Sequence, residues 1–139
     1  LSLHKRIRPR DIQLGIGCGK NNELLKFYYS KTPVLSSFSK LEVKELWSTD
    51  FLPVLKLDKI CEDLSIKRIY FLSIDVEGFD IDVLEGSLNA LKFTRLVCIE
   101  ANSVAIEKII IKFMVASGFQ LKLKNEWNLF FSNSDALLK

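Results

Sequence analysis

The chain has 139 residues, 48% of them hydrophobic and 27% charged, which is the profile of one folded domain and excludes a disordered tract. Its formal net charge of +3 is modest, and no apolar run approaches the roughly 20 residues needed to span a bilayer. The three cysteines, Cys18, Cys61 and Cys98, are odd in number and have neither zinc-binding spacing nor a disulfide framework, so a reducing, cytoplasmic setting is expected.

In chain order, Lys5, Arg6, Arg8 and Arg10 form a basic cluster. Such a cluster can meet nucleic acid or acidic lipid, but with no aromatic residues interleaved it reads as a solvated stretch, and neither nucleic acid nor membrane is expected as a partner. His4, the sole histidine, reads as a surface residue beside it. Residues 12–17 read as a short strand running into a glycine turn, residues 23–29 as a second strand, residues 33–39 as a serine-rich loop, and residues 53–57 as another short strand. Asp58 stands where a helix cap is expected, followed by the apolar stripe of Ile60, Cys61 and Leu64.

Residues 68–75, Arg-Ile-Tyr-Phe-Leu-Ser-Ile-Asp, are nearly continuous apolar sequence without period-2 alternation, the pattern of a central parallel strand covered on both faces. A helix interrupted near Gly86 is expected over residues 79–91, and a second buried strand over residues 96–100. Ser103 caps a helix whose apolar face is Ile106, Ile109, Ile110, Phe113 and Met114, with Gly118 as its stop. Phe119, Leu121 and Leu123 then alternate with polar residues, and after a turn at Asn125-Glu126 the chain returns over residues 127–132 as a hairpin. Alternating buried strands and helices predict an α/β fold built on a mostly parallel sheet, with right-handed crossovers and one antiparallel hairpin at its edge.

In an open parallel sheet, ligands bind outside the carboxyl ends of the strands. Asp75, Glu77 and Glu100 all fall at such ends. Gathering charge at one sheet edge is costly unless something pairs with it, which makes these three the candidate catalytic residues. Position alone allows blander roles: Asp75 or Glu77 as a helix cap, Glu100 as part of a turn. Gly78 serves a tight turn or lets a ligand approach the backbone, and the Gly15–Gly17 pair is a weak glycine-turn signal. Metal ligation through the carboxylates stays open, although a hard cation needs six or more oxygens.

Several blocks in order carry a family resemblance: Pro53-Val-Leu-Lys-Leu-Asp58, Tyr70-Phe-Leu-Ser-Ile-Asp-Val-Glu-Gly-Phe79, Val83-Leu-Glu-Gly86 and Val97-Cys-Ile-Glu100. Together they resemble the C-terminal half of the FkbM-type methyltransferases, over about residues 11–132. The resemblance implies a Rossmann-like fold, S-adenosylmethionine as methyl donor, and methylation of hydroxyl oxygens on sugars, glycans or natural products, so the implied partner is a small-molecule or glycan acceptor. It places Asp75 and Glu77 near the transferred methyl or the acceptor, and Gly15 and Gly17 near the adenine side of the cofactor. The family's first strand, its glycine-rich cofactor loop and its ribose-binding acid cannot be placed in residues 1–10, so the chain is expected to be one partial domain lacking the first part of the cofactor site. The competing expectation is a truncated, non-catalytic module of the same fold, whose exposed strand edges favour homo-oligomerisation.

Overall fold

The computed structural model describes residues 6–133; His4 and Lys5, singled out above, lie outside them. Two mixed sheets and three helices make up the described α/β fold. The first sheet has the order β1-β3-β2, from β1 (Gly17–Cys18), β2 (Glu23–Ser30) and β3 (Leu46–Leu55). β3 runs parallel to β1 and antiparallel to β2. The second sheet has the order β4-β5-β7-β6, from β4 (Ile69–Ile74), β5 (Thr94–Glu100), β6 (Gln120–Asn125) and β7 (Asn128–Ser132). Only β4 and β5 are parallel in it; the β5–β7 and β7–β6 pairs are antiparallel. The sheet is therefore mixed where a mostly parallel one was expected, because the closing hairpin supplies two of its four strands.

The helices are α1 (Leu57–Asp63), α2 (Asp80–Glu85) and α3 (Val104–Ala116). The core lies between the second sheet and its helices: Ile74, Val97, Ile99, Leu129 and Phe131 from the strands meet Val83, Leu84, Ile110, Met114 and Phe119. α3 begins as its sequence predicts, with the Ser103 hydroxyl oxygen accepting the Ile106 N–H at 3.3 Å, and Gly118 ends it at φ +87°.

Four expectations need correction. The strand expected over residues 12–17 shrinks to Gly17–Cys18, with Ile12 68% exposed. The strand expected at residues 53–57 is a ten-residue strand, Leu46–Leu55. Asp58 does not cap α1, whose N-cap is Lys56. Its carboxylate instead accepts the N–H groups of Asn89 and Ala90, at 3.0 and 2.7 Å, and so caps the 3-10 turn Ala90–Phe93 across 32 residues of sequence. Finally, β4 is an edge strand among the described residues, and Tyr70 and Phe71 on it are 61% and 53% exposed.

Candidate functional site

β4 and β5 run parallel with Ile74 opposite Ile99, so the residues that follow each strand emerge at the same sheet edge. Asp75 and Glu77 leave β4 there, and Glu100 ends β5. After Asp75 the chain makes a tight turn through two left-handed residues, Glu77 at φ 49° and Gly78 at φ 85°. Glycine adopts that conformation freely; glutamate does so at a cost of roughly 1–2 kcal/mol. The N-cap of α2 is Phe79, without a side-chain cap, so neither Asp75 nor Glu77 serves the helix as its cap.

Asp75 and Glu77 line one cavity of about 560 Å³, facing Gly17, Ser36, Ser37 and Phe38. The opposite wall is held to the turn by a single hydroxyl: Ser37 is fully buried and donates to the Glu77 carbonyl oxygen at 2.8 Å, while its oxygen accepts the Ser39 N–H at 3.0 Å. Gly17 belongs to this wall for a steric reason, since a Cβ there would lie 2.5 Å from the Phe38 ring. Gly15 is exposed, nothing lies within 4 Å of where its Cβ would be, and it does not line the cavity. Gly78 borders a second, smaller space of about 130 Å³ together with Glu42, Asp80 and Asn102.

The electrostatics are those of crowded carboxylates. Glu100 is raised above the usual carboxylate range, first by its hydrogen bond to Asp75, then by burial and by the Asp75 charge. Glu77 is raised by burial and by the charges of Asp75, Asp80 and Glu42. Asp80, which the sequence reading did not single out, is 6% exposed and raised chiefly by burial. Backbone N–H groups of the turn partly offset this, yet its Oδ1 has no hydrogen-bond partner. None of the ion pairs among the described residues involves any of these four acids. The edge therefore carries negative potential suited to a cationic ligand, and Glu77, Asp80 and Glu100 hold protons more readily than ordinary carboxylates. No group of three or more histidine, cysteine or acidic side chains among the described residues is arranged to hold a metal ion.

A family model described as Methyltransferase FkbM domain matches residues 2–121. The chain belongs to that family. Comparisons with curated proteins and with solved structures gave no match. The FkbM match takes in the acidic edge and both strands that build it, and it ends in β6, so the last strand of the hairpin lies beyond it. Among the described residues, no helix is long and apolar enough to cross a membrane.

Sequence reasoning found the three strand-end acids of this FkbM domain and the 32–51 loop as a candidate pocket wall, but gave Ser37 and Phe38 no individual role and missed Asp80. Asp80 had a weak signal, an acid two residues after a turn glycine. The Ser37 contact joins residues 40 positions apart, and nothing local announces it.

Proposed function

We propose that this FkbM domain takes part in methyl transfer from S-adenosylmethionine to a hydroxyl oxygen of a sugar, glycan or other natural product, on a Rossmann-like methyltransferase sheet. One observation carries the reading: Asp75 and Glu77 line one cavity, Glu100 is hydrogen-bonded to Asp75, and no described cation neutralises them. The parallel β4–β5 pair followed by the antiparallel hairpin supports the sheet assignment.

The cavity's residues fit the donor. Its acids match a positively charged sulfur, and Ile16, Phe27 and Phe38 offer apolar wall to a flat base. Gly17 lines this cavity, whereas Gly78 borders the smaller space beside Glu42. When bound, S-adenosylmethionine supplies a methyl group made electrophilic by its sulfonium. The Asp75–Glu100 pair and Glu77 orient the acceptor hydroxyl and take its proton as the oxygen–carbon bond forms. The raised proton affinity of Glu77 and Glu100 favours them as proton acceptors.

The test needs no knowledge of the acceptor. Isothermal titration should show S-adenosylmethionine binding more tightly than its demethylated, uncharged thioether, and Asp75→Asn with Glu77→Gln should erase a preference of about tenfold. Equal affinity for the two compounds in the unsubstituted protein, or a preference untouched by neutralising both acids, would overturn the cavity as the methyl-transfer site.

A second reading, a module acting by association rather than catalysis, draws on the edge of β4 that has no paired strand among the described residues and on its exposed Tyr70 and Phe71.

A further inference from the structure

A further cavity, of about 480 Å³, is lined by Tyr29, Ser30, Lys31, Pro33, Ser36 and Trp47. Ser36 lines both cavities, so the two adjoin. The walls of the second are mostly carbon, and Lys31 is the only charged residue among those named.

Trp47 comes to this cavity through an irregularity in strand pairing. Tyr29 pairs with Ser48 and Ser30 with Leu46, so Trp47 is the extra residue of a β-bulge between β2 and β3. Bulges re-aim side chains and commonly border functional sites. The indole is 74% exposed, a poor use of the largest apolar side chain unless something covers it. From Tyr29 a chain of ring contacts leads to the acidic site: Tyr29 to Phe27 at 5.0 Å, Phe27 to Phe38 at 4.8 Å and Phe38 to Phe79 at 5.5 Å between centroids. Phe27 and Phe38 also line the acidic cavity. The two spaces are thus linked by a shared serine and a shared aromatic wall.

We propose that this apolar cavity holds a flat hydrophobic ring of the methyl acceptor against Trp47 and Tyr29 while the acceptor's hydroxyl reaches the acids. This rests on the methyl-transfer reading and narrows it: the acceptor is a ring-bearing alcohol with an apolar body, not a bare sugar. Lys31 adds a preference for rings that carry a negative group.

The probe is 8-anilinonaphthalene-1-sulfonate, whose naphthalene suits the cavity and whose sulfonate suits Lys31. In a Trp127→Phe background, Trp47 is the sole indole, since the chain has two tryptophans. Saturable binding should quench Trp47 emission, and Trp47→Ala should weaken the probe about tenfold. If that variant misfolds by circular dichroism, Lys31→Glu serves instead: it should weaken the sulfonate probe and leave uncharged 2-naphthol unaffected. Phe71→Ser, which removes an exposed aromatic ring from the β4 rim, should change neither. S-adenosylmethionine should not displace the probe. Probe binding indifferent to Trp47 and Lys31, or competitive displacement by the donor, would overturn the proposal. Because this readout involves no methyl transfer, it can fail while the donor-preference test succeeds, and the reverse.

Discussion

Glu100 and Asp75 lie next to each other because two parallel strands end in register, and contact with Asp75 together with burial raises the proton affinity of Glu100. A carboxylate whose folded value is raised contributes stability that is complete below its unfolded value and is lost as pH rises through the folded one. For Glu100 the shift is upward, so at neutral pH its charge works against folding. Glu100→Gln should therefore raise the melting temperature at pH 7 by about 2 °C and leave it unchanged near pH 4, as measured by thermal unfolding followed by circular dichroism. Turnover has the opposite pH dependence: the acid limb of kcat/KM should follow Glu100, displaced upward from an ordinary glutamate, and rate should be lost as pH falls through it. The strand-end acids were legible in sequence because an acid closing an apolar run is a one-dimensional pattern. Asp80 was not, because its burial follows from the turn at Glu77 and Gly78 folding its carboxyl back onto backbone N–H groups.

Among the elements, the legible ones were those whose apolar residues follow a period or an unbroken buried run. α3 shows apolar residues at three- and four-residue spacing, and β5 is buried at Val97, Cys98 and Ile99. β3 failed the same reading because its first six residues are all exposed and carry no alternation to detect. β4 misled for the opposite reason: its apolar run promised two covered faces, and one edge of it has no described neighbour. The Val-Leu-Glu-Gly block now has a steric explanation. A Cβ on Gly86 would sit 2.0 Å from the carbonyl oxygen of Gly19, where the chain leaving β1 crosses the end of α2. The obstacle is backbone, so it cannot rotate aside. Gly86→Ala should cost about 2 kcal/mol in urea denaturation. Since Gly19 directly follows β1, the substitution should also disturb the Gly17 wall of the acidic cavity.

Among the described residues, the second sheet has two unlike rims. Every residue of β6 is exposed on one rim, and two of them, Lys122 and Lys124, are charged in the manner that discourages strand addition. The β4 rim carries Tyr70 and Phe71, and Arg95 lies over the Tyr70 ring at 5.3 Å. If association is part of this protein's role, it runs through β4. Sedimentation should then show concentration-dependent self-association that Phe71→Lys abolishes and Leu123→Lys does not. A monomer at every concentration would remove the associating-module reading. The α/β class and the order of helices and strands were legible because they follow from local periodicity. The division into two sheets was not, since it depends on β2 pairing with β3 across the intervening loop rather than on any segment's own pattern.

The left-handed glutamate at the site turn sets two selective pressures against each other. Glycine or asparagine at position 77 would relax the backbone, so a search for thermal endurance alone would drift toward them. On the methyl-transfer reading proposed above, a demand for the carboxylate holds glutamate in that conformation. In an engineering campaign, position 77 thus works as an internal gauge: variants selected for heat tolerance lose the acid, and variants selected for turnover keep the strain.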